Sequence, residues 1–255
     1  VCMDRTPIAI SLCTTCRDRL WQLRETLPGH LEQLPPDCEI VLVDYGSSDG
    51  LSTWIWSNFR AHIEAGRLRF FEVDGSPRWS SPAAKNLAHR LASGRFLFNL
   101  DADNFVTPRE YEMLYAAAAA DEACFQWSGV MADGSMGRIG LPSRLFATLG
   151  GYDEHLLPMG YQDIDLIERI ELHEGRIRRL PAPERPAVPN SLAQKLAACG
   201  EHQVSAAADF DVMNDLNTRC ARARRWLYGP CRDPIYRTHA GRWNGQLAIL
   251  DGFGP

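Results

Sequence analysis

The sequence predicts an α/β protein, a mostly parallel sheet flanked by helices, with a helical and irregular C-terminal extension. Three observations carry this prediction. Four short apolar runs without helical period alternate with three helical segments between residues 8 and 100. The links between them are short. Polar residues gather where the apolar runs end. Strand and helix alternating over short links is the pattern of a parallel sheet joined by right-handed crossovers.

The elements follow in order. Residues 8–13 form an apolar run that reads as a buried strand. A helix is expected over residues 18–34, with Leu20, Leu23, Leu27, Leu31 and Leu34 at helical spacing, Asp18 as N-cap and Pro35-Pro36 as the stop. Residues 39–44 make the second strand. The turn Gly46-Ser47-Ser48-Asp49-Gly50 leads into a helix over 53–65, then a third strand over 68–73. Ser80-Ser81-Pro82 opens the next helix, with serine as cap and proline in the first turn. A fourth strand, 95–100, ends in Asp101-Ala102-Asp103. Beyond it, helices are expected over 108–120, 163–173, 191–199 and 209–227, and short strands over 124–127 and 130–131. Residues 181–189 hold four prolines and read as a rigid loop. Residues 228–255 show no clear period.

The chain has 255 residues, 45% of them hydrophobic, enough for a sizeable core. A net charge of −5 argues against a generally basic surface for nucleic acid. No apolar run approaches the ~18 residues of a membrane span. Val1-Cys2-Met3-Asp4-Arg5 carries no signal-peptide pattern, so a soluble, cytoplasmic protein is expected. Eight cysteines, loosely spaced, read as reduced thiols. Cys13 and Cys16 have CxxC spacing but no second ligand pair for zinc.

In an open parallel sheet, ligands bind beyond the carboxyl ends of the strands. Thr14, Thr15 and Arg17 stand there after the first strand, Asp44, Ser47 and Asp49 after the second, and Asp101 and Asp103 after the fourth. Two carboxylates two residues apart can hold one hard divalent cation, which completes its shell with phosphate oxygens; alternatively Asp103 caps the next helix. A second constellation is Gly150-Gly151-Tyr152-Asp153-Glu154, followed by Gly160-Tyr161-Gln162-Asp163-Ile164-Asp165. Asp163 and Asp165 begin a helix. They are either dipole-favoured first-turn carboxylates or include a general base that takes a proton from an attacking hydroxyl.

Residues 9–49, with Val43-Asp44-Tyr45-Gly46-Ser47-Ser48-Asp49, resemble the start of the inverting glycosyltransferase family 2, of the Rossmann-like GT-A fold. Residues 81–103, with Ala84-Lys85-Asn86-Leu87-Ala88 ahead of Asp101-Ala102-Asp103, resemble its donor-binding half. Residues 150–166 are similar to the acceptor-side motif of galactosyl- and N-acetylgalactosaminyltransferases. The resemblance spans residues 7–175, and it implies roles. Thr14, Thr15, Arg17, Asp44 and Asp49 would surround the nucleoside. Lys85 and Asn86 would sit near the donor phosphates or ribose. Asp101, Ala102 and Asp103 match the D-x-D metal motif. Asp163 matches the catalytic base, with Gly151, Tyr161, Gln162 and Asp165 on the acceptor side. His239 would complete the metal site or simply pack, with His173 a weaker alternative. Arg237 and Arg242 would reach the diphosphate, and Trp243 would stack on a sugar or pack. Two positions depart from the family pattern, Tyr45 for an aspartate and Gln162 for a glutamate.

The resemblance further implies a catalytic domain over 1–180, with a nucleotide-sugar half at 1–103 and an acceptor half at 104–180. Residues 181–255 would be an extension packed on the active site. The cofactor would be Mn²⁺ or Mg²⁺ and the donor a UDP-sugar. The acceptor hydroxyl would belong to a glycan, lipid-linked, peptide or small-molecule partner. A nucleotidylyltransferase on the same sheet would need a glycine-rich loop after the first strand. Residues 14–18 hold no glycine. A non-catalytic sugar- or nucleotide-binding module would have no use for a base at Asp163.

Overall fold

The computed structural model describes residues 7–75, 77–130, 135–197, 210–233 and 237–250. The first half alternates as the sequence predicts. It runs β1 (Ile10–Cys16), α1 (Leu20–Gln33), β2 (Cys38–Asp44), α2 (Leu51–Glu64), β3 (Leu68–Val73), α3 (Ser81–Leu91) and β4 (Phe96–Asn99). The second half continues with α4 (Pro108–Ala119), β5 (Cys124–Gln126), a 3-10 turn (Ser135–Gly137), β6 (Arg138–Pro142) and α5 (Ser143–Leu149). Then come α6 (Gln162–Glu174), β7 (Arg178–Leu180), α7 (Leu192–Ala197), α8 (Phe210–Tyr228), β8 (His239–Trp243) and β9 (Gln246–Leu250).

Among the described residues, nine strands form one sheet in the order β7-β5-β6-β4-β1-β2-β3-β8-β9. β1 lies parallel to both β2 and β4, and β2 is parallel to β3. β6 and β8 run against the other strands, as antiparallel neighbours of β4 and β3. The central order β3-β2-β1-β4 reverses direction of winding between β1 and β4. That switch point is where a doubly wound sheet opens a crevice at its carboxyl edge.

Strand alternation divides the core into two layers. Leu12, Leu42, Phe70 and Phe98 face one side and pack with Leu23, Leu27 and Leu31 of α1, Ile55 of α2 and Leu114 of α4. Cys13, Val43, Phe71 and Leu97 face the other, against Leu87 of α3, Phe146 of α5 and Leu166 and Ile170 of α6. Ser80 caps α3 by accepting from the Ala83 amide, with Pro82 in the first turn. Thr107 and Glu110 form a reciprocal capping box on α4.

Several expectations are corrected. Asp18 does not cap α1, which has Arg19 at its N-cap position. Asp18 adopts a left-handed backbone (φ 51°) and accepts from the Ser48 amide at 2.6 Å and its hydroxyl at 3.0 Å. The Leu20 amide instead donates to Asp49 Oδ2 at 2.7 Å, a carboxylate supplied from 29 residues away. Asp103 is not a cap either, because Thr107 takes that place on α4. Val130 lies outside any strand, and Met131 falls outside the described residues. β6, α5, β7, β8 and β9 have no counterpart among the predicted elements. The end of the segment predicted over 191–199 and Asp209 also lie outside the described residues.

Candidate active site

The loops after β1 and β2 are laced together. Besides the Asp18–Ser48 bonds, the Asp18 amide donates to Ser47 Oγ at 3.1 Å. Asp44 Oδ1 accepts from the Ser47 amide at 2.7 Å, and burial raises the pKa of this carboxyl, with the Ser47 hydrogen bonds opposing it. Arg17 extends from the end of β1 to donate to the Pro77 carbonyl ahead of α3. These contacts build one wall from residues 15–19, 44–49 and 77–81.

Below this wall a cavity of about 230 Å³ opens at the carboxyl ends of β1 and β4. Thr15, Arg17, Lys85, Asp101, Ala102, Asp103, Tyr161, Gln162 and Asp163 all line it. Among the lining groups is the Lys85 ammonium, carried on α3 and buried. Its Nζ donates to Asp163 Oδ1 at 2.7 Å and lies 3.3 Å from Asp101 Oδ1. Burial works against the ammonium, but Asp101 and Asp163 outweigh it and raise its pKa above that of an ordinary lysine. Asp101 is affected by burial in the other direction, yet Lys85 and the amide of Asn99 hold its pKa below the usual carboxylate value. Asp163 ends up raised, by burial first and by Asp101, with Lys85 pulling it back. Gln162 Nε2 donates to Asp163 Oδ2 at 3.0 Å, so both carboxylate oxygens are held.

Gly137 closes the turn over Asp101. A Cβ there would stand 2.6 Å from Asp101 Oδ2 and 3.1 Å from Lys85 Nζ, so only glycine leaves the carboxylate its place. The Gly137 carbonyl accepts from Asn99 Nδ2 at 2.8 Å, which ties β4 to this turn.

Other predicted residues lie outside the cavity lining. Thr14 is buried on the opposite side of β1 from Thr15, as alternation requires. Asp49 is taken up by the Leu20 and Leu51 amides. Asn86 is a buried latch on residues 150–154: its carboxamide donates to the Tyr152 carbonyl and Glu154 and accepts from the Tyr152 amide at 2.7 Å. Gly151 packs against this latch, where a Cβ would meet Asn86 Oδ1 at 2.5 Å. Asp165 is fully buried and bound by Arg169 at 2.7 Å and Arg225 at 2.6 Å, off the cavity lining. His239 is also absent from the cavity lining. Its Nε2 meets the Tyr45 hydroxyl at 3.0 Å, and burial lowers its pKa to about 4. Among the described residues no group of three or more His, Cys, Asp or Glu side chains gathers to hold a metal ion. His173 pairs with Glu174, Arg237 with Glu154, and Trp243 packs on Phe71 under Arg69. Arg242 pairs in register with Glu72 across β8 and β3. Cys13 and Cys16 are buried free thiols whose pKa values burial pushes up.

Sequence reasoning did not single out Trp79, Met136, Gly137, Met159, Phe210 or Asn214 as cavity residues. They come from turns and from α8, where no motif marks them. Trp79 is half-buried, and its indole stands edge-on to Tyr45 at 5.6 Å.

Residues 11–170 match the sequence profile of glycosyl transferase family 2, more than half the chain. The chain belongs to glycosyl transferase family 2. Solved structures agree on the fold. S. aureus TarS 1–349 in complex with UDP-GlcNAc superposes with a TM-score of 0.59 at 13% identity, over 89% of this chain and 68% of that one. The mannosyltransferase PcManGT from Pyrobaculum calidifontis, in complex with GDP-Man and Mn²⁺, gives 0.55 at 19% identity, over 89% and 74%. In two other structures of TarS the chain spans 63% of residues 1–349 and 38% of the longer chain. No curated protein sequence matches. Within this transferase family, the two departures have local accounts. Tyr45 is buried facing His239 and Trp79, where the alternating backbone turns it away from Asp44. Gln162 faces the cavity and spends its amide N–H on Asp163. Among the described residues no helix is long and apolar enough to cross a membrane.

Proposed function

We propose that this family member is an inverting, metal-dependent glycosyltransferase that moves a hexosyl or N-acetylhexosaminyl unit from a UDP-sugar onto an acceptor hydroxyl. One observation carries the reading: a single buried lysine touches the D-x-D carboxylate Asp101 and the α6 carboxylate Asp163 across one cavity. Asp101 on the donor side and Asp163 on the acceptor side would then act in one space.

The residues lining the cavity near β4 offer carboxylate oxygens, a donor set that suits a hard cation taking its remaining ligands from phosphate and water. Asp101 and Asp103 would hold Mn²⁺ or Mg²⁺, which when bound would offset charge on the departing diphosphate. Thr15, Arg17 and Asp44 would hold the nucleoside against the laced β1 and β2 loops. Lys85 would add a fixed positive charge beside the phosphates. Asp163 would take the proton from the acceptor hydroxyl as that oxygen attacks the anomeric carbon from the face opposite the leaving group. Lys85 and Gln162 fix the carboxylate for this task. Tyr161 and Gln162 would border the acceptor. Binding of UDP, UDP-GlcNAc and GDP-Man with Mn²⁺ by the fold neighbours supports a nucleotide-sugar donor.

The test is incubation with Mn²⁺ and a panel of UDP- and GDP-sugars, following release of the nucleoside diphosphate. Slow hydrolysis of one donor, abolished by chelator, is expected. Turnover of a nucleoside triphosphate, or binding of a sugar nucleotide without any hydrolysis or transfer, would overturn the reading.

A further inference from the structure

α6 begins without a side-chain cap. Its N-cap residue, Tyr161, holds a left-handed backbone (φ 65°), a conformation that a bulky residue keeps only when its surroundings enforce it. Gln162 and Asp163 lie in the first turn that follows. The Tyr161 hydroxyl is held within α6, donating to Glu168 at 2.9 Å, whereas loop 157–160 needs support from outside the helix.

That support comes from α8. Asn217 is buried, and its carboxamide meets the loop four times. Oδ1 accepts from the Leu157 amide at 2.7 Å. Nδ2 faces the carbonyls of Leu157 at 3.2 Å, Met159 at 3.1 Å and Gly160 at 2.7 Å. Only a primary amide offers one acceptor and two donor hydrogens at these positions. The helix and loop are also in van der Waals contact: a Cβ on Gly160 (φ 92°) would lie 3.0 Å from Asn214 Cα. The loop is also tied at the Pro158 carbonyl, which accepts from the Ser81 amide of α3 at 2.9 Å. Met159, Gly160 and Tyr161 line the cavity on one side of this loop, and Asn214 lines it from α8.

We propose that Asn217 is a positioning residue for sugar transfer: it clamps loop 157–160 and so sets where Tyr161, Gln162 and Asp163 stand in the cavity. The inference rests on the reading of Asp163 as the base. It assigns to a helix beyond the family-matched region the task of aiming that base. A displacement near 1 Å at a reacting group costs on the order of 10²-fold in rate.

The experiment uses the full chain with Asn217→Ala and Asn217→Asp. The second keeps the side-chain size and an oxygen for the Leu157 amide but removes the donors aimed at three carbonyls. Native-state hydrogen exchange is read at the amides of Leu157 and Asp165, the latter donating to the Tyr161 carbonyl at 2.8 Å. Asn217→Ala should lower protection at both sites by ~10–100-fold beyond any change in the β1 amides, and Asn217→Asp should do so at Asp165. Donor hydrolysis, measured with the UDP-sugar that the wild type turns over, should fall by ~10–100-fold. Affinity for UDP with Mn²⁺ should stay within about twofold, because the nucleoside wall and acid pair make no contact with Asn217. A merely stabilising side chain would speed exchange equally in β1 and at Leu157, and that result overturns the clamp. So does wild-type hydrolysis by both Asn217 variants while Asp163→Asn is inactive. If Asp163→Asn itself hydrolyses donor at the wild-type rate, the base assignment falls, and the exchange pattern alone still judges whether Asn217 holds the loop.

Discussion

Asp163 and Asp165 lie two residues apart at the start of one helix, yet their surroundings demand opposite mutant behaviour. Asp165 is fully buried. Arg169 holds one oxygen at 2.7 Å and Arg225 the other at 2.6 Å, with Arg232 at 3.8 Å. Arg169 is buried too and also donates to the carbonyls of Leu149 and Gly151. Asp165→Asn removes the negative charge from this cluster and leaves buried guanidinium groups short of a partner. Breaking a buried pair in this way costs about 3–5 kcal/mol. For a chain of this size that corresponds to a fall in Tm of roughly 6–20 °C. The folded fraction should still turn over donor. Asp163 is different. When it is replaced by Asn, the Lys85 ammonium still keeps Asp101 at 3.3 Å, so no buried charge is left without a partner. Asp163→Asn should leave Tm within about 3 °C and lower turnover by ~10²–10⁴, with UDP affinity nearly intact. Thermal melts by circular dichroism, paired with donor hydrolysis well below both melting points, separate the two effects. An Asp165→Asn protein that melts like wild type but has lost turnover would refute the assignment, as would an active Asp163→Asn.

Three further outcomes are expected. Asp101→Asn and Asp103→Asn should retain the fold while losing Mn²⁺-dependent UDP binding, read by calorimetry; a variant with wild-type metal dependence refutes the acid-pair assignment. Gly137→Ala should displace Asp101, given the 2.6 Å its Cβ would leave, and should weaken Mn²⁺ and UDP binding several-fold; unchanged affinity would mean the turn yields freely. Burial lowers the pKa of His89 to about 4 and that of His30 to about 3, so both are neutral in the fold but titrate near 6.5 once it unfolds. Acid thus favours the unfolded chain: this stability is whole above pH 6.5 and is lost as pH falls toward 4, by up to about 3 kcal/mol for His89. Tm should drop over that interval, less steeply in His89→Gln, and a flat profile between pH 7 and 5 would contradict it.

The first half of the fold was legible because its signals are local. Apolar runs, leucines at helical spacing and the Ser80-Pro82 start each report one element, and together they fix β1 to β4 and the switch point. The D-x-D pair at a strand end and the Gly-Tyr-Gln-Asp start of α6 were legible for the same reason. What could not be read depends on contacts distant in sequence. β6 holds a glycine, a proline and a fully buried arginine, because Arg138 pairs with Glu110 of α4 and Gly140 sits under Phe96. No local period announces such a strand. β8 alternates weakly and becomes a strand by adding to the β3 edge.

The same distinction decides which motif residues reach the cavity. A motif names residues that matter, but the direction of a side chain follows from its neighbours. Lys85 and Asn86 are adjacent on α3, so their side chains diverge by about 100° around the helix. One meets Asp101 and Asp163, and the other latches the chain at Tyr152. Asp163 and Asp165 divide in the same way between cavity and charge cluster. The partners that settle these directions, Arg225 and Asn217, both lie on α8, more than 50 residues further along the chain. Their arginine and asparagine side chains look like ordinary surface residues of an amphipathic helix until the fold brings them against α6. Much of what fixes the α6 side of the cavity therefore comes from a segment whose sequence carries no motif.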